Sequence, residues 1–163
     1  MKPANERVAN YLDQFGLVFD IRLLPTAVRT ARLAAEALDC EVGQIANSLI
    51  FRDVSNVGTV ERAVLIMCSG DRRVDLRKVK MRTGIDLGKA DADFVRGQTG
   101  FAIGGVPPVA HSKSLRCLLD TSLQRHTKIW AAAGTPDSVF CMTPTELQRI
   151  TGGSWQELSL APS

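Results

Sequence analysis

The chain of 163 residues and 17.7 kDa has the length of one ordinary domain. Its 20 basic and 17 acidic side chains give a formal net charge of +3 and are distributed evenly, which excludes an acidic tail and a histone-like polycation. The longest wholly apolar run, residues 63–68, is far shorter than the roughly 20 residues of a membrane helix. The polar N-terminus shows no signal-peptide pattern, so we expect no membrane association.

Cysteine and histidine usage argues against a zinc site. The four cysteines are widely spaced and form no C-x-x-C pair, and only two histidines are present. These numbers and spacings do not match the usual zinc ligand sets. We therefore expect reduced thiols and a cytoplasmic location.

The first half of the chain predicts helices and strands in turn. Asn5 is expected to cap a helix that Gly16 ends, and residues 18–24 are typical of a strand. The clearest helical pattern follows at 31–38, with Thr30 as its N-cap. Further elements are then predicted in this order: a helical turn at 42–45, a strand at 46–52, a turn at 56–58 and a central strand buried on both faces at 62–69.

The second half adds short helices, a loop and further strands. Residues 97–111 concentrate glycine and proline and predict a shaped loop around a short strand at 101–103. The final helix is predicted to begin after Thr143 and to end at Gly152. The remaining elements are helices at 76–83 and 91–95 and strands at 115–119, 128–133 and 139–142. Because strands and helices interleave without strict alternation, we expect a mixed sheet with helices packed around it.

The most distinctive local feature is the run Gly-Gly-Val-Pro-Pro at 104–108. Its glycines permit positive φ or a close approach to a ligand, and its prolines restrict the turn that follows. Such a loop could present peptide N–H groups to an oxyanion, or it could be a structural corner between strands. His111 follows directly and could act as a hydrogen-bond donor or general base, or it could be an ordinary surface histidine.

A second feature is a dense run of basic side chains, which could contact a phosphate backbone or form a solvated helix face. The run consists of Arg72, Arg73, Arg77, Lys78, Lys80 and Arg82. A third possibility is a thiol hydrolase, with Cys117 as nucleophile and His126 as its base. However, Cys117 lies in an apolar strand pattern and no third member of such a site is evident.

Several segments, taken together and in order, resemble one known family. They are TARLAAEAL at 30–38, QIANSLIF at 44–51, CSGDRRVD at 68–75, TGFAIGGVPP at 99–108 and AGTP at 133–136. This order and spacing resemble the YbaK-type family, also known as the prolyl-tRNA synthetase-associated editing domain. The resemblance extends over about residues 25–155, so we expect one such domain over residues 1–163.

The resemblance implies a single α/β (α+β) domain with a central mixed, barrel-like β-sheet surrounded by helices. It implies hydrolysis, in trans, of the ester that joins a wrong small amino acid (Ala, Cys, Ser or Thr) to the 3′-terminal adenosine of a tRNA. The partners would be the mischarged tRNA and, transiently, an aminoacyl-tRNA synthetase, but neither DNA nor a membrane. No cofactor is implied, because backbone amides can stabilise the oxyanion while the substrate assists water attack.

The resemblance and the local features described above together give the candidate site residues. Gly104, Gly105, Gly134 and Asn47 occupy the catalytic positions. The substrate-binding candidates are Ser48, Gly100, Val106, Pro107, Pro108, His111 and Thr135, and the basic run at 72–82 is the candidate tRNA contact.

One position departs from the family pattern. Asn47 stands where the family commonly has a lysine, and an asparagine supplies hydrogen bonds but no positive charge. Arg52 or His111 could supply that contact instead. Alternatively, the protein could be a non-catalytic module that binds tRNA or a nucleotide.

Overall fold

The computed structural model describes residues 2–25, 28–56, 58 and 60–160. The helices are α1 (Pro3–Asp13), α2 (Ala31–Leu38), α3 (Leu76–Thr83), α4 (Ala92–Thr99) and α5 (Pro144–Thr151). The strands are β1 (Ile21–Leu23), β2 (Ile45–Asp53), β3 (Arg62–Ser69), β4 (Arg73–Val74), β5 (Leu87–Lys89), β6 (Arg116–Asp120), β7 (Ile129–Ala132), β8 (Ser138–Met142), β9 (Ser154–Gln156) and β10 (Ser159–Leu160). Short 3₁₀ helices occupy Val42–Gln44 and Thr121–Arg125. No helix among these described residues is long and apolar enough to cross a membrane.

An eight-stranded mixed sheet organises the domain, in the order β1-β8-β7-β2-β3-β6-β9 with β5 also paired to β2. The central strand β3 is antiparallel to β2 and parallel to β6. Its residues 63–69 are all buried, as the continuous apolar run predicts, because both faces of the sheet are covered. The expectation of a mixed sheet with helices packed around it is confirmed.

Side chains of β3 alternate between two hydrophobic clusters, because successive residues of a strand point to opposite faces. Leu65 and Met67 belong to the large cluster, which also receives residues of α1, α4 and α5. Val64 and Ile66 belong to a smaller cluster on the opposite face, which includes Val79 of α3. The sheet is therefore a middle layer between two sets of helices.

Helix ends follow the capping rules where the signals are local. The Thr30 hydroxyl accepts a hydrogen bond from the N–H of Leu33 at 3.1 Å, so α2 begins as predicted. Thr143 and Glu146 form the reciprocal capping box at the start of α5. The N-cap assigned to Asn5 was wrong: α1 begins at Pro3, and Asn5 lies within its first turn.

Other boundaries differ from the predictions for reasons of pairing. The strand expected at 18–24 is only Ile21–Leu23, which is the part that pairs with β8. No strand forms at 101–103, where the chain is a turn. The strands β4, β5, β9 and β10 were missed, since segments of two or three residues carry no periodic pattern. Of the turn at 56–58, residue 57 lies outside the described residues.

The two edges of β2 are paired unequally. One edge is paired with β3 from Ala46 to Asp53. The other edge pairs with β7 at Ile45 and Ala46, and with β5 only from Phe51 onward. Residues 47–50 therefore have no partner strand on that edge among the described strands. Alternate residues of such a segment direct N–H and C=O groups into the gap.

A buried carboxylate holds the C-terminal segment to the sheet. Asp120, at the end of β6, is 0% exposed and accepts hydrogen bonds from the N–H of Leu158 at 2.7 Å and the hydroxyl of Ser159 at 2.8 Å. It also accepts one from the N–H of Ser122 at 3.1 Å, which begins the second 3₁₀ helix. One side chain thus satisfies three donors that have little access to water.

Replacing this carboxylate should destabilise the protein. Asp120→Ala would leave these three donors without an acceptor, and we expect the free energy of unfolding to fall by about 3 kcal/mol or more. Urea denaturation measures the change. Asp13→Ala, which removes an exposed carboxylate from the end of α1, is the matched control and should change stability by less than about 0.5 kcal/mol. Equal effects of the two substitutions would contradict the anchoring role.

Candidate active site

The gap in the edge of β2 opens into a cleft formed by two cavities of about 350 and 320 Å³. Both are lined by Ser48, Leu49, Ile103, Gly104 and Val106. The first extends toward the start of α2, and the second extends toward β5 and α4. We call this feature the β2 cleft. Its volume lies in the range of small-molecule sites. The cleft brings the predicted Asn47–Ser48 segment against residues 100–110 of the predicted loop, which we call the glycine loop.

Of the glycines in the glycine loop, Gly104 is the one that lines the cleft. Its φ is +91°, a conformation that side chains other than glycine rarely adopt. A Cβ added there would have no neighbour nearer than Pro136 Cγ at 3.8 Å, so the space before it is open. The N–H groups of Gly104 and Val106 donate to no acceptor among the described residues, whereas that of Gly105 donates to Ala102 O at 3.0 Å.

Gly105 and Gly134 serve close packing of the chain instead. A Cβ on Gly105 would lie 2.8 Å from Thr135 Cα, and one on Gly134 would lie 2.8 Å from Ala4 O. Both distances are shorter than real contacts of this kind, so each glycine lets two backbone segments touch. Neither glycine lines the β2 cleft. The glycine loop therefore packs directly against the 134–135 segment, which in turn contacts the start of α1.

The segment facing the loop is held by a buried polar network. The Asn5 side-chain amide donates to Ala133 O at 2.8 Å and to Ser138 Oγ at 2.9 Å. Thr135 and Ser138 share a hydrogen bond of 2.6 Å, and Ser138 lines the cleft. The hydrogen bond from Thr135 also holds the pKa of Asp137 below its usual value. Thr135, a predicted substrate contact, is thus engaged inside the network.

Arg7 of α1 fixes both ends of the glycine loop. Its guanidinium lies 4.4 Å from the centre of the Phe101 ring. It donates to Gly100 O at 3.2 Å and to Ala110 O at 3.3 Å. Gly100, another predicted substrate contact, ends α4 with φ +80° and does not line the cleft.

His111 supports the same loop from behind. Its Nε2 donates to Pro107 O at 2.7 Å, and burial lowers the pKa of the imidazole. It lines a separate cavity of about 330 Å³ together with Pro108 and Cys117. His111, Pro107 and Pro108 are therefore absent from the lining of the β2 cleft, and His111 does not replace the missing lysine there.

Two of the predicted polar residues do line the cleft. Asn47 lines the first cavity, and its side-chain amide makes no hydrogen bond or ion pair with any described residue. An amide of this kind can bind a ligand hydroxyl or carbonyl. Ser48 lines both cavities, and its hydroxyl donates to Met67 Sδ at 3.3 Å. Val106 is the third predicted ligand contact found there.

Arg52 is engaged elsewhere. Its guanidinium forms ion pairs with Glu61 and Asp91 and lies 4.3 Å from the centre of the Phe94 ring. It lines neither cavity of the cleft. The suggestion that Arg52 supplies the missing positive charge is therefore not supported by its position.

The basic run at 72–82 begins just before β4 and continues along β4 and α3, outside the lining of the cleft. Lys78 pairs with Glu157 at 2.9 Å, Arg82 pairs with the same carboxylate at 3.8 Å, and Lys80 pairs with Asp86 at 2.9 Å. Arg72 lies 3.8 Å from Asp71. Ion pairs thus neutralise much of this run, which matches a partly paired helix face better than a continuous phosphate-binding surface.

The thiol-hydrolase alternative is not supported by the surroundings of its two residues. Burial raises the pKa of the Cys117 thiol to about 12, so it is not a thiolate near neutral pH. Its proposed base, His126, lies 3.7 Å from Glu41 instead. All four cysteines are free. No group of three or more metal-ligating side chains occurs within the described part of the chain.

Sequence reasoning missed the supporting residues Arg7, Asn5 and Ser138. One signal was present for Asn5, which shares the buried stripe of α1 with Val8 and Leu12. A polar side chain on an apolar helix face indicates a buried hydrogen-bond partner. No local pattern marks the other two, because their partners lie far away in the sequence.

Ala110, whose carbonyl Arg7 holds, has φ +67°, and relieving this strain should stabilise the protein. We expect Ala110→Gly to raise the free energy of unfolding by about 0.5–1 kcal/mol. Ala37→Gly, on the exposed side of α2, is the matched control and should lower it by about 1 kcal/mol. Thermal or urea denaturation distinguishes the signs. A loss of stability in Ala110→Gly would show that the conformation is not strained.

Comparison with known proteins agrees with the resemblance found in the sequence segments. Residues 26–150 match the family model of the aminoacyl-tRNA editing domain. Over 144 residues, 88% of each chain, the protein is 30% identical to the uncharacterized protein YwhH of Bacillus subtilis. It is 24% identical over 131 residues, 80% of this chain and 77% of the other, to EbsC of Enterococcus faecalis, named a candidate Cys-tRNA(Pro)/Cys-tRNA(Cys) deacylase.

Solved structures agree with the fold. The crystal structure of a candidate trans-editing enzyme for prolyl-tRNA synthetase has a TM-score of 0.89 at 40% identity, with 99% of each chain covered. That of the hypothetical protein APE2540 has a TM-score of 0.84 at 25% identity, with 94% of this chain and 99% of the other covered. The family resemblance carried by the sequence segments is thereby confirmed.

Proposed function

The chain belongs to the aminoacyl-tRNA editing domain family, and on that premise we propose that it is a trans-acting deacylase of mischarged tRNA. The family implies an aminoacyl-tRNA as substrate. The reaction proposed is hydrolysis of the ester between a small amino acid and the 3′-terminal adenosine. The observation that carries this proposal is the position of Gly104 and Val106. Both residues line a cleft beside the open edge of β2, and their backbone N–H groups have no acceptor among the described residues.

The chemistry required of such a site is modest. An aminoacyl ester is already activated, and the neighbouring ribose hydroxyl can assist attack by water. The protein has mainly to hold the ester and to stabilise the developing oxyanion with fixed donors. Backbone amides of a loop that Arg7 and His111 hold in place meet this need without a side-chain nucleophile.

Selection for a small amino acid is supported by the cleft's walls. Val106, Ala46 and Ala132 line the first cavity, and these side chains cannot move aside as a long flexible one could. Because one methylene is worth only about 1–3 kcal/mol in discrimination, a separate editing site that admits the small amino acid and excludes a larger one is useful to the cell.

Asn47 favours a second candidate function. An amide in place of a cation could leave a protein that binds charged tRNA, or a nucleotide, without hydrolysing the ester. Asn47 lines the cleft and its side chain has no partner in the described part of the chain, so a contact with a ligand is available in either case. The two functions differ only in turnover.

Deacylation assays on a panel of tRNAs separate these functions. We expect the protein to discharge tRNA charged with one or two of Ala, Ser, Thr and Cys faster than buffer, and to leave its prolyl counterpart intact. Asn47→Ala should slow the reaction by about tenfold or more if the amide orients the substrate. Asn47→Lys tests whether a cation improves catalysis. Discharge by Asn47→Lys alone would identify a binding protein, and discharge by neither would refute the deacylase proposal.

Filling the cleft at the glycine loop gives an independent test. Gly104→Val should reduce turnover by about 100-fold or more, because its side chain would occupy the open space of the cleft beside Gly104. The strain of φ +91° should cost about 1–2 kcal/mol of stability. Gly152→Val, at φ +66° with nothing within 4 Å, imposes similar strain outside the cleft and should keep its activity. Equal activity of the two variants would place the reaction elsewhere.

A further inference from the structure

The β2 cleft has an uncompensated positive charge. Among the described residues that line its two cavities, Arg29 and Lys89 are the charged ones, and no aspartate or glutamate is present. Arg29 precedes the N-cap of α2 and lines the first cavity. Lys89 ends β5, pairs with Phe51 of β2 and lines the second cavity. The two cations thus border different cavities, while Gly104 lines both.

Both cations are available to a ligand. Arg29 and Lys89 are exposed, and neither side chain forms a hydrogen bond or ion pair with any described residue. The other basic groups near the proposed site are engaged: Arg52 is held by Glu61 and Asp91, and Arg7 is held by the glycine loop. Cations without counter-charge in a concave, largely apolar site concentrate positive potential and attract anions.

We propose that Arg29 and Lys89 bind phosphate groups of the single-stranded 3′ end of tRNA on the 5′ side of its terminal ester, which lies at Gly104. This proposal rests on the proposed function, since the editing reaction requires that end of the tRNA in the cleft. Asn47 supplies no charge, and the electrostatic attraction comes from the two ends of the cleft instead. Because phosphate contacts position a nucleic acid without reading its sequence, such a device would suit several tRNAs.

The rival surface is the basic run on β4 and α3. There, Lys78, Lys80 and Arg82 already have carboxylate partners. Their attraction for phosphate is reduced, because binding a phosphate would compete with the existing ion pairs. Arg73 and Arg77 are exposed, and substituting them tests that surface.

The experiment is a salt titration of tRNA binding by the full-length protein and its variants. The probe is an uncharged tRNA(Pro) transcript, which needs no turnover, and a second transcript that lacks the three 3′-terminal nucleotides. Arg29→Gln and Lys89→Gln are compared with Lys113→Gln, which removes an exposed cation outside the cleft. The rival surface is tested with a double substitution, Arg73→Gln and Arg77→Gln.

Each cleft substitution should weaken binding of the complete transcript by about threefold to tenfold at low salt and should lower the slope of log K against log salt by about 0.7. Neither should affect binding of the truncated transcript, and Lys113→Gln should affect neither transcript. In deacylation assays, the cleft variants should raise KM more than they lower kcat.

The outcomes separate this proposal from the deacylase function. Salt slopes that change as expected in a protein without turnover would support the phosphate site and refute the deacylase. Turnover with unchanged KM and salt slope in Arg29→Gln and Lys89→Gln would refute the phosphate site and leave the deacylase. Loss of binding only in the Arg73→Gln, Arg77→Gln protein would assign tRNA to the rival surface. Absence of both binding and turnover would overturn both.

Discussion

Among the described strands, the middle of β2 has a partner on one edge only, and the candidate site depends on that asymmetry. β3 pairs along nearly the whole strand, whereas β7 and β5 pair with the opposite edge only at its ends. Backbone N–H and C=O groups need hydrogen-bond partners, so an open edge within a sheet requires water, a ligand or another segment beside it. Here the glycine loop and the start of α2 border the opening without closing it.

The loop beside this opening is fixed by contacts behind it. Arg7 joins its two ends, His111 holds its proline segment, and Gly105 lets it lie directly on the 134–135 backbone. The side chains of Arg7 and His111 thus hold the loop in place, and the backbone of Gly104 lines the cleft. Donors held in this way need little rearrangement during a reaction, which is the condition under which backbone amides stabilise an oxyanion well.

Tertiary contacts also decide which charged side chains are paired and which are not. Much of the most basic stretch of the sequence is paired, because Glu157 and Asp86 are brought beside α3. Two isolated cations, Arg29 and Lys89, are the charged residues among the described lining of the cleft, because α2 begins and β5 ends at its borders. The net charge of +3 therefore says little about where an anion would bind.

Local sequence was sufficient for the elements whose determinants lie within a few residues. The apolar run of β3, the caps of α2 and α5, and the glycine loop were all predicted, since periodicity, capping and turn chemistry act over short distances. The strands β4, β5, β9 and β10 exist only because partners are brought alongside them. The sequence did not predict the cleft either. Contacts such as Arg7–Ala110 and Arg52–Asp91 decide which loop residues face it and which cations remain free. Those pairs join residues distant in the chain, so only the packed structure decides them.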